Sequence, residues 1–317
     1  MALGHHAPLK RVLVIRHGAL GDIVLSFAGF AAIRAAHEQA DITLLTTAPF
    51  AAWMAPSPWF DHVTIDAKPS PWDVAGLIRL RRSLMGFDRV YDLQTSSRSS
   101  RYYRLAGSPQ WSGIAPGCDY PHANPARDTL HSRERIAEQL AMAGIATMAQ
   151  PDLTWLRTAP PPLALPDRFI ALIPGTAPHR PEKRWPAARF GALAASLGMP
   201  TVIFGTKSER DLAAAIEGSM PGAIDLTGRT TLPQLAAALS RAGLAIGNDT
   251  GPMHLAAALG IPSIVLFGGT SDPALTAPRA PDGAWPTIIR AASLADLPVA
   301  TVAQAVAGRH NHPSLMP

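Results

Sequence analysis

The chain has 317 residues, enough for two domains of about 150 residues, and its 47% apolar content excludes global disorder. Only 16% of residues are charged, the formal net charge is +5, and no run of 18 apolar residues exists to span a membrane. A single cysteine, Cys118, excludes an internal disulfide framework and fits a reducing compartment.

In chain order, "RVLVI" (11–15), "DITLL" (41–45), "HVTI" (62–65) and "DRVYD" (88–92) read as strands. Between them lie segments of helical period at 21–37 and 72–85. Strand–helix alternation predicts βαβ units on a parallel sheet. The stretch 79–104 carries seven arginines (79, 81, 82, 89, 98, 101 and 104) against Asp88 and Asp92. Such a band suits phosphates, nucleic acid or an anionic membrane surface, and equally a solvated helix face. "RTAPPPLALPD" (157–167), with four prolines in eleven residues, is expected as an extended linker.

Beyond it the alternation resumes. "RFIALI" (168–173), "PTVIF" (200–204), "LAIGN" (244–248) and "SIVLF" (263–267) read as buried strands. Helices are expected at 186–197, 206–218, 231–242 and 250–259, a last strand at 287–290 and a helix near 298–308. The expected architecture is α/β, with two Rossmann-like parallel-sheet domains. Residues 1–160 form the first domain, 161–297 the second, and 298–317 a C-terminal helix and tail returning to the first. In such a pair ligands bind beyond the carboxyl ends of the strands, in the cleft between the domains. The opening "MALGHHAPLKR" lacks the apolar core of a signal peptide, so a cytoplasmic protein is expected.

Four stretches could carry chemistry. In "RHGALGD" (16–22), Gly18 and Gly21 permit a tight turn after the first strand, and Asp22 falls in the first turn of the next helix. There it either stabilises the helix dipole or serves as an active-site carboxylate. In "IPGTAPHRPEKRWPAARF" (173–190), Thr176 and Lys183 could bind phosphate oxygens, or the loop is simply basic and solvated. In "FGTKSERD" (204–211), Glu209 follows a strand end, where acidic residues bind ribose hydroxyls or cap a helix. In "IGNDTGPMHLAAALGIP" (246–262), Asp249 or Thr250 caps a helix whose start suits a diphosphate, and Asp249 better suits sugar or loop groups. His254 lies one turn further on, where a packed histidine is the commoner outcome.

No GxGxxG, Walker loop, GxSxG elbow, HExxH, zinc spacing or DxD pair occurs, so no metal or cofactor is expected.

Taken together, "RHGALGDIVLSFAGFAAIR", "PGTAPHRPEKRWPAARF" and "LTGRTTLPQLAAALSRAGLAIGNDTGPMHLAAALGIPSIVLFGGTSDP" (226–273) resemble glycosyltransferase family 9, the bacterial lipopolysaccharide heptosyltransferases. The resemblance implies a GT-B fold, with two Rossmann-like domains facing across a cleft. It implies an inverting, metal-independent transfer of heptose from ADP-heptose to the lipopolysaccharide inner core. It places the catalytic base at Asp22, the donor diphosphate on Lys183, and the donor sugar and diphosphate on Asp249, Thr250, Gly251 and His254. Thr176 and Glu209 match positions that contact phosphate and ribose.

The partners so implied are a nucleotide-sugar donor and an anionic lipid-linked saccharide acceptor, with Arg98 and Arg101 on the acceptor side. No nucleic acid is implied, and peripheral contact with the cytoplasmic face of the inner membrane stays open. Another nucleotide-sugar donor, a sugar-nucleotide epimerase and a non-catalytic binding protein are the alternatives. One departure stands out. The family's proline shortly after the GD pair is absent, and "SFAGF" with Gly29 takes its place.

Overall fold

A computed structural model describes residues 9–177 and 179–310. The segments before residue 9 and after residue 310, including the expected C-terminal tail, lie outside the described residues. The chain forms two compact units, residues 1–155 and 156–317.

The first unit runs β1 (Arg11–Ile15), α1 (Leu20–Leu25), α2 (Phe27–Ala36), β2 (Asp41–Thr46), α3 (Ala48–Met54), β3 (His62–Ile65), α4 (Val74–Leu84), β4 (Arg89–Asp92), α5 (Ser97–Leu105), β5 (Gln110–Gly113), β6 (Tyr120–Pro121) and α6 (Ser132–Met142). Its six strands pair in the order β3-β2-β1-β4-β5-β6, all parallel. The second unit runs β7 (Ile170–Ile173), α7 (Ala187–Leu197), β8 (Thr201–Ile203), α8 (Arg210–Ser219), β9 (Ile224–Asp225), α9 (Leu232–Leu239), β10 (Leu244–Asn248), α10 (Gly251–Ala258), β11 (Ser263–Phe267), α11 (Pro273–Thr276), β12 (Thr287–Arg290) and α12 (Val299–His310). Its sheet, β12-β11-β10-β7-β8-β9, repeats the same order and is also parallel. Counted within each unit, this is the doubly wound order 3-2-1-4-5-6. Its direction of winding reverses between the first and fourth strands, and there a crevice opens at the carboxyl ends.

The central strands β1, β7, β10 and β11 are buried on both faces, as apolar runs such as "RVLVI" and "SIVLF" require, while the edge strands β3, β6, β9 and β12 stay partly exposed. In the first unit, α4 and α5 lay Leu80, Leu84, Tyr102 and Ala106 on Leu13, Ile15, Val90 and Trp111. Elsewhere in that unit Phe27, Phe30, Trp53, Trp59 and Trp155 form a connected aromatic group, with ring centroids 5.1–6.5 Å apart between neighbours. In the second unit, Leu193, Ile203, Ile216, Ile246 and Leu266 form the core.

Three expectations change. The helix expected over 21–37 is interrupted at Ser26. The Asp22 carbonyl there accepts from the Arg16 guanidinium and from Ser26 Oγ at 2.7 Å, so the helical ladder breaks without a proline. The proline-rich stretch 157–167 belongs to the second unit rather than acting as a free linker. Leu165 is buried, its carbonyl accepts from Arg241, and Arg157 donates to the Leu259 carbonyl. The C-terminal helix α12, expected to return to the first domain, places Val302 and Val306 in the core of the second unit beside α7.

Candidate functional site

In the first unit, the loop after β1 and the loop after β4 meet at the reversal point of the sheet. Gly18, at φ +116°, turns the chain out of β1, where an added Cβ would lie 2.5 Å from the Phe50 ring. Asp22 stands in the first turn of α1, as expected. Its Oδ2 accepts from the Ala19 N–H at 2.9 Å, and its Oδ1 lies 3.2 Å from Arg16 Nη2. Arg16 is buried, and its other donor, Nη1, reaches the Leu93 carbonyl beyond β4 at 2.6 Å. The carboxylate is thus held on two sides while its side chain keeps 45% exposure.

Asp22 opens into a polar cavity of about 310 Å³, lined among others by Gln94, Thr95, Arg127, Ser132 and Arg135. Arg127 is braced by Thr95 Oγ1 at 2.5 Å and by His122 Nδ1 at 3.2 Å. Arg135 donates to Ser132 Oγ at 3.0 Å. Burial lowers the Arg135 pKa, and the neighbouring Arg127 charge lowers it further. Asp128, on the same cavity wall, pairs with Arg127 at 2.9 Å and lies 3.8 Å from Arg135, so the two guanidiniums form an anion site that this carboxylate partly neutralises.

Gly29 makes this arrangement possible: a Cβ there would lie 2.7 Å from Ile136 Cγ2 on α6, the helix that carries Arg135. The glycine found where the family's proline is absent therefore lets α6 approach α2. Beneath the cavity, Asp92 is fully buried and burial pushes its pKa up to about 6. Its Oδ1 accepts from the Gln94 and Thr95 N–H groups.

The predicted acceptor residues fall elsewhere. Arg98 and Arg101 lie on α5 and do not line the Asp22 cavity. Arg98 acts on Tyr102, while Arg101 Nε donates to the Ser97 carbonyl of its own helix. Arg127 and Arg135 take the place beside Asp22. They escaped sequence reading because they sit over a hundred residues away, in a polar stretch without a motif.

In the second unit the corresponding loops follow β7 and β10. Lys183 Nζ lies 3.0 Å from Asp249 Oδ2, with both side chains largely shielded. Asp249 thus pairs with the lysine of the loop after β7. Thr176 Oγ1 donates to the Arg180 carbonyl at 3.0 Å and accepts from Arg184 Nε at 3.1 Å, closing the loop that carries Lys183. Thr250 is the N-cap residue of α10 but makes no side-chain cap bond; Pro252 has no N–H and the Met253 N–H donates to the Thr250 carbonyl at 3.0 Å, so of the first three helical residues Gly251 supplies the N–H left for a ligand. His254 is buried in that first turn.

Glu209 is nearly buried. Its Oε2 accepts from Thr206 N at 2.6 Å and Thr206 Oγ1 at 3.1 Å, the capping reading. Its other oxygen lies over Gly175, where a Cβ would come within 1.6 Å.

Asn248, not singled out from sequence, ties this half together. Fully buried, it donates to the Pro174 carbonyl at 2.7 Å and accepts from Trp185 N at 3.0 Å. It therefore pins both ends of the Thr176–Lys183 loop to β10. Its signal was present in "GNDTG", but a buried asparagine is indistinguishable from a surface one in sequence.

Each half thus carries polar, convergent side chains at the reversal point of a doubly wound sheet, the arrangement of nucleotide- and sugar-handling α/β enzymes. The model of glycosyltransferase family 9 (heptosyltransferase) matches residues 77–284, and the chain belongs to that family. It is a glycosyltransferase. It is 28% identical over 302 residues to lipopolysaccharide heptosyltransferase 2 of Escherichia coli K12, covering 82% of this chain and 83% of that one. Lipopolysaccharide heptosyltransferase 3 of Escherichia coli is 31% identical over 213 residues, 63% of this chain and 57% of that one.

Among solved structures, a family 9 glycosyl transferase from Veillonella parvula superposes with a TM-score of 0.80 at 24% identity, covering 94% and 96% of the two chains. An Escherichia coli heptosyltransferase solved with ADP gives 0.74 at 20% identity, covering 94% and 99%. These likenesses show the fold, which is GT-B.

Proposed function

We propose that the protein transfers a heptose from ADP-heptose to the inner core of lipopolysaccharide, with inversion at the anomeric carbon and without a metal. The observation that carries this reading is Asp22, a half-exposed carboxylate fixed by Arg16 and the Ala19 N–H at the mouth of a cavity flanked by Arg127 and Arg135.

In a single displacement the acceptor hydroxyl attacks the anomeric carbon and its proton passes to Asp22. The bond from that carbon to the diphosphate oxygen breaks, and the electron pair leaves with ADP. Arg127 and Arg135 suit the anionic groups of a core saccharide. In the second unit, Lys183 and the Gly251 N–H at the start of α10 suit the charge that develops on the diphosphate. The Lys183–Asp249 pair would open to admit it. Glu209, with one oxygen committed to Thr206, keeps the other for a ribose hydroxyl. These groups supply positive charge without a metal. The Escherichia coli heptosyltransferase of similar fold was solved with ADP, which supports the same nucleotide here.

The test is Asp22→Ala, assayed for heptose transfer and, separately, for ADP binding by calorimetry. Turnover is expected to fall by at least about a thousandfold while ADP affinity stays within about twofold. Lys183→Ala is expected to weaken ADP binding instead. Turnover unchanged in Asp22→Ala would remove that residue from the mechanism, and activity lost to EDTA and restored by a divalent ion would overturn the metal-free reading.

A further inference from the structure

We propose that the outer face of α4 and α5, together with the loop before α4, is a docking surface for an anionic lipid bilayer. Both helices bury one stripe on the same side of the sheet: Gly76, Leu80 and Leu84 from α4, Ser99, Tyr102 and Ala106 from α5. Their opposite faces are therefore turned outward together. On that outer side Trp72 is 90% exposed, Val74 66%, Ile78 48% and Met85 42%. These four large apolar side chains are exposed within fourteen residues of chain, and contiguous apolar patches mark contact sites.

The charge around them is mostly positive. Arg79, Arg81 and Arg82 of α4 and Arg101 and Arg104 of α5 are all exposed, and Lys68 precedes them. Neither helix contains an aspartate or glutamate. Asp73, beside Trp72, is occupied in capping α4 through the Gly76 N–H at 2.8 Å. None of the five arginines forms an ion pair with a described residue. A soluble anion would satisfy the arginines but would gain nothing from Trp72, Val74, Ile78 and Met85. An anionic bilayer engages both: its headgroups pair with guanidiniums, and its interface accepts an indole and aliphatic side chains.

The position of the loop gives this contact a purpose. The chain leaves β3 at the same sheet edge from which β1 delivers Asp22. Asp66, the first residue after β3, anchors the loop: it accepts from the Lys68 N–H and from Tyr102 of α5, and lies 2.9 Å from His17 Nε2. Contact with a bilayer would hold the Asp22 edge at the height where a membrane-embedded saccharide is presented. That consequence alone rests on the proposed transfer; the docking surface stands without it.

The test is co-sedimentation of the full chain with vesicles of phosphatidylcholine alone and of phosphatidylcholine with phosphatidylglycerol. Binding is expected to the anionic vesicles only, to weaken as salt rises, and to shift the summed tryptophan emission to the blue, a shift absent from Trp72→Ser/Ile78→Ser. Trp72→Ser/Ile78→Ser and Arg81→Ser/Arg82→Ser are each expected to lower the partition coefficient on the order of tenfold, with thermal melts and ADP binding unchanged. No binding to anionic vesicles, equal binding to neutral ones, or binding unaffected by either double variant would overturn the proposal. So would a lipid-free dimer that Trp72→Ser/Ile78→Ser converts to a monomer, because the face would then be a contact between copies of this chain.

Discussion

Arg16 and Asp22 sit six residues apart, yet only the second was legible in "RHGALGD". The glycines and the carboxylate announce a turn and a helix start, whereas the buried role of Arg16 depends on Leu93, whose carbonyl it reaches across the sheet. Titration at one buried and one half-buried group is equally invisible in sequence and has a measurable signature. Burial holds the Asp92 pKa up to about 6, above the ordinary value near 3.9, so the folded chain binds more protons than the unfolded chain between about pH 4 and 6. Stability from this group therefore falls as pH rises through that window.

His37 does the reverse. Burial, and then the nearby charges of Arg89 and Arg34, lower its pKa to about 4, so the folded chain binds fewer protons up to about pH 6.5 and stability rises with pH. The two slopes oppose one another. Asp92→Asn should expose the rising slope and His37→Gln the falling one, each up to about 1.4 kcal/mol per pH unit. Denaturant melts between pH 4 and 7 check this, and variant curves parallel to the parent's would refute it.

Among elements, those read correctly from sequence are the ones whose apolar pattern is dense. Strands β1, β2, β7, β8, β10 and β11 are of this kind, and β3, β4 and β12 are read from two apolar residues each. Apart from α3, which is too short to show a helical period and buries Trp53 and Met54, most missed elements bury little: α5, "SRSSRYYRL", hides only Ser99 and Tyr102, β5 carries Trp111 alone among large apolar residues, and β6 and β9 are two residues each. Helix α6 was missed for the same reason, since Gln139 and Ser132 share its buried face with Ile136 and Leu140. Its omission also concealed Arg135.

The loop between β7 and α7 reads as a phosphate loop from Thr176 and Lys183, but what holds its shape is Asn248 on β10. Asn248→Ala would leave the Trp185 N–H and the Pro174 carbonyl unpaired in a dry site. A loss of roughly 2–4 kcal/mol is expected, with ADP affinity falling alongside it. A variant that melts lower yet binds ADP normally would show that the loop keeps its geometry without the clamp.

At the scale of the whole molecule, the fold class was readable because βαβ alternation resumes after the proline-rich stretch. That stretch belongs to the second unit rather than acting as a hinge, because hydrogen bonds to Leu165 and from Arg157 fasten it there. All the proposed donor residues, from Thr176 to His254, lie in residues 156–317, which close their own six-stranded sheet around their own core. A fragment beginning at Leu156 is therefore expected to fold and to bind ADP within about tenfold of the full chain's affinity, without transferring sugar. Calorimetry on the fragment checks this, and a fragment that folds but ignores ADP would place essential donor contacts in the first unit.

The shared strand order also works as an address. Asp22 and Lys183 both belong to the segment after the first strand of their sheet, and Thr95 and Asp249 to the segment after the fourth. A residue's distance past those two strands, counted separately in each half, thus says more about whether it reaches a substrate than its distance from Asp22 along the chain. Mutational scanning of this protein should accordingly give activity losses that peak at these two addresses in each half, with Arg127 and Arg135 after β6 and Glu209 after β8 adding unmatched peaks.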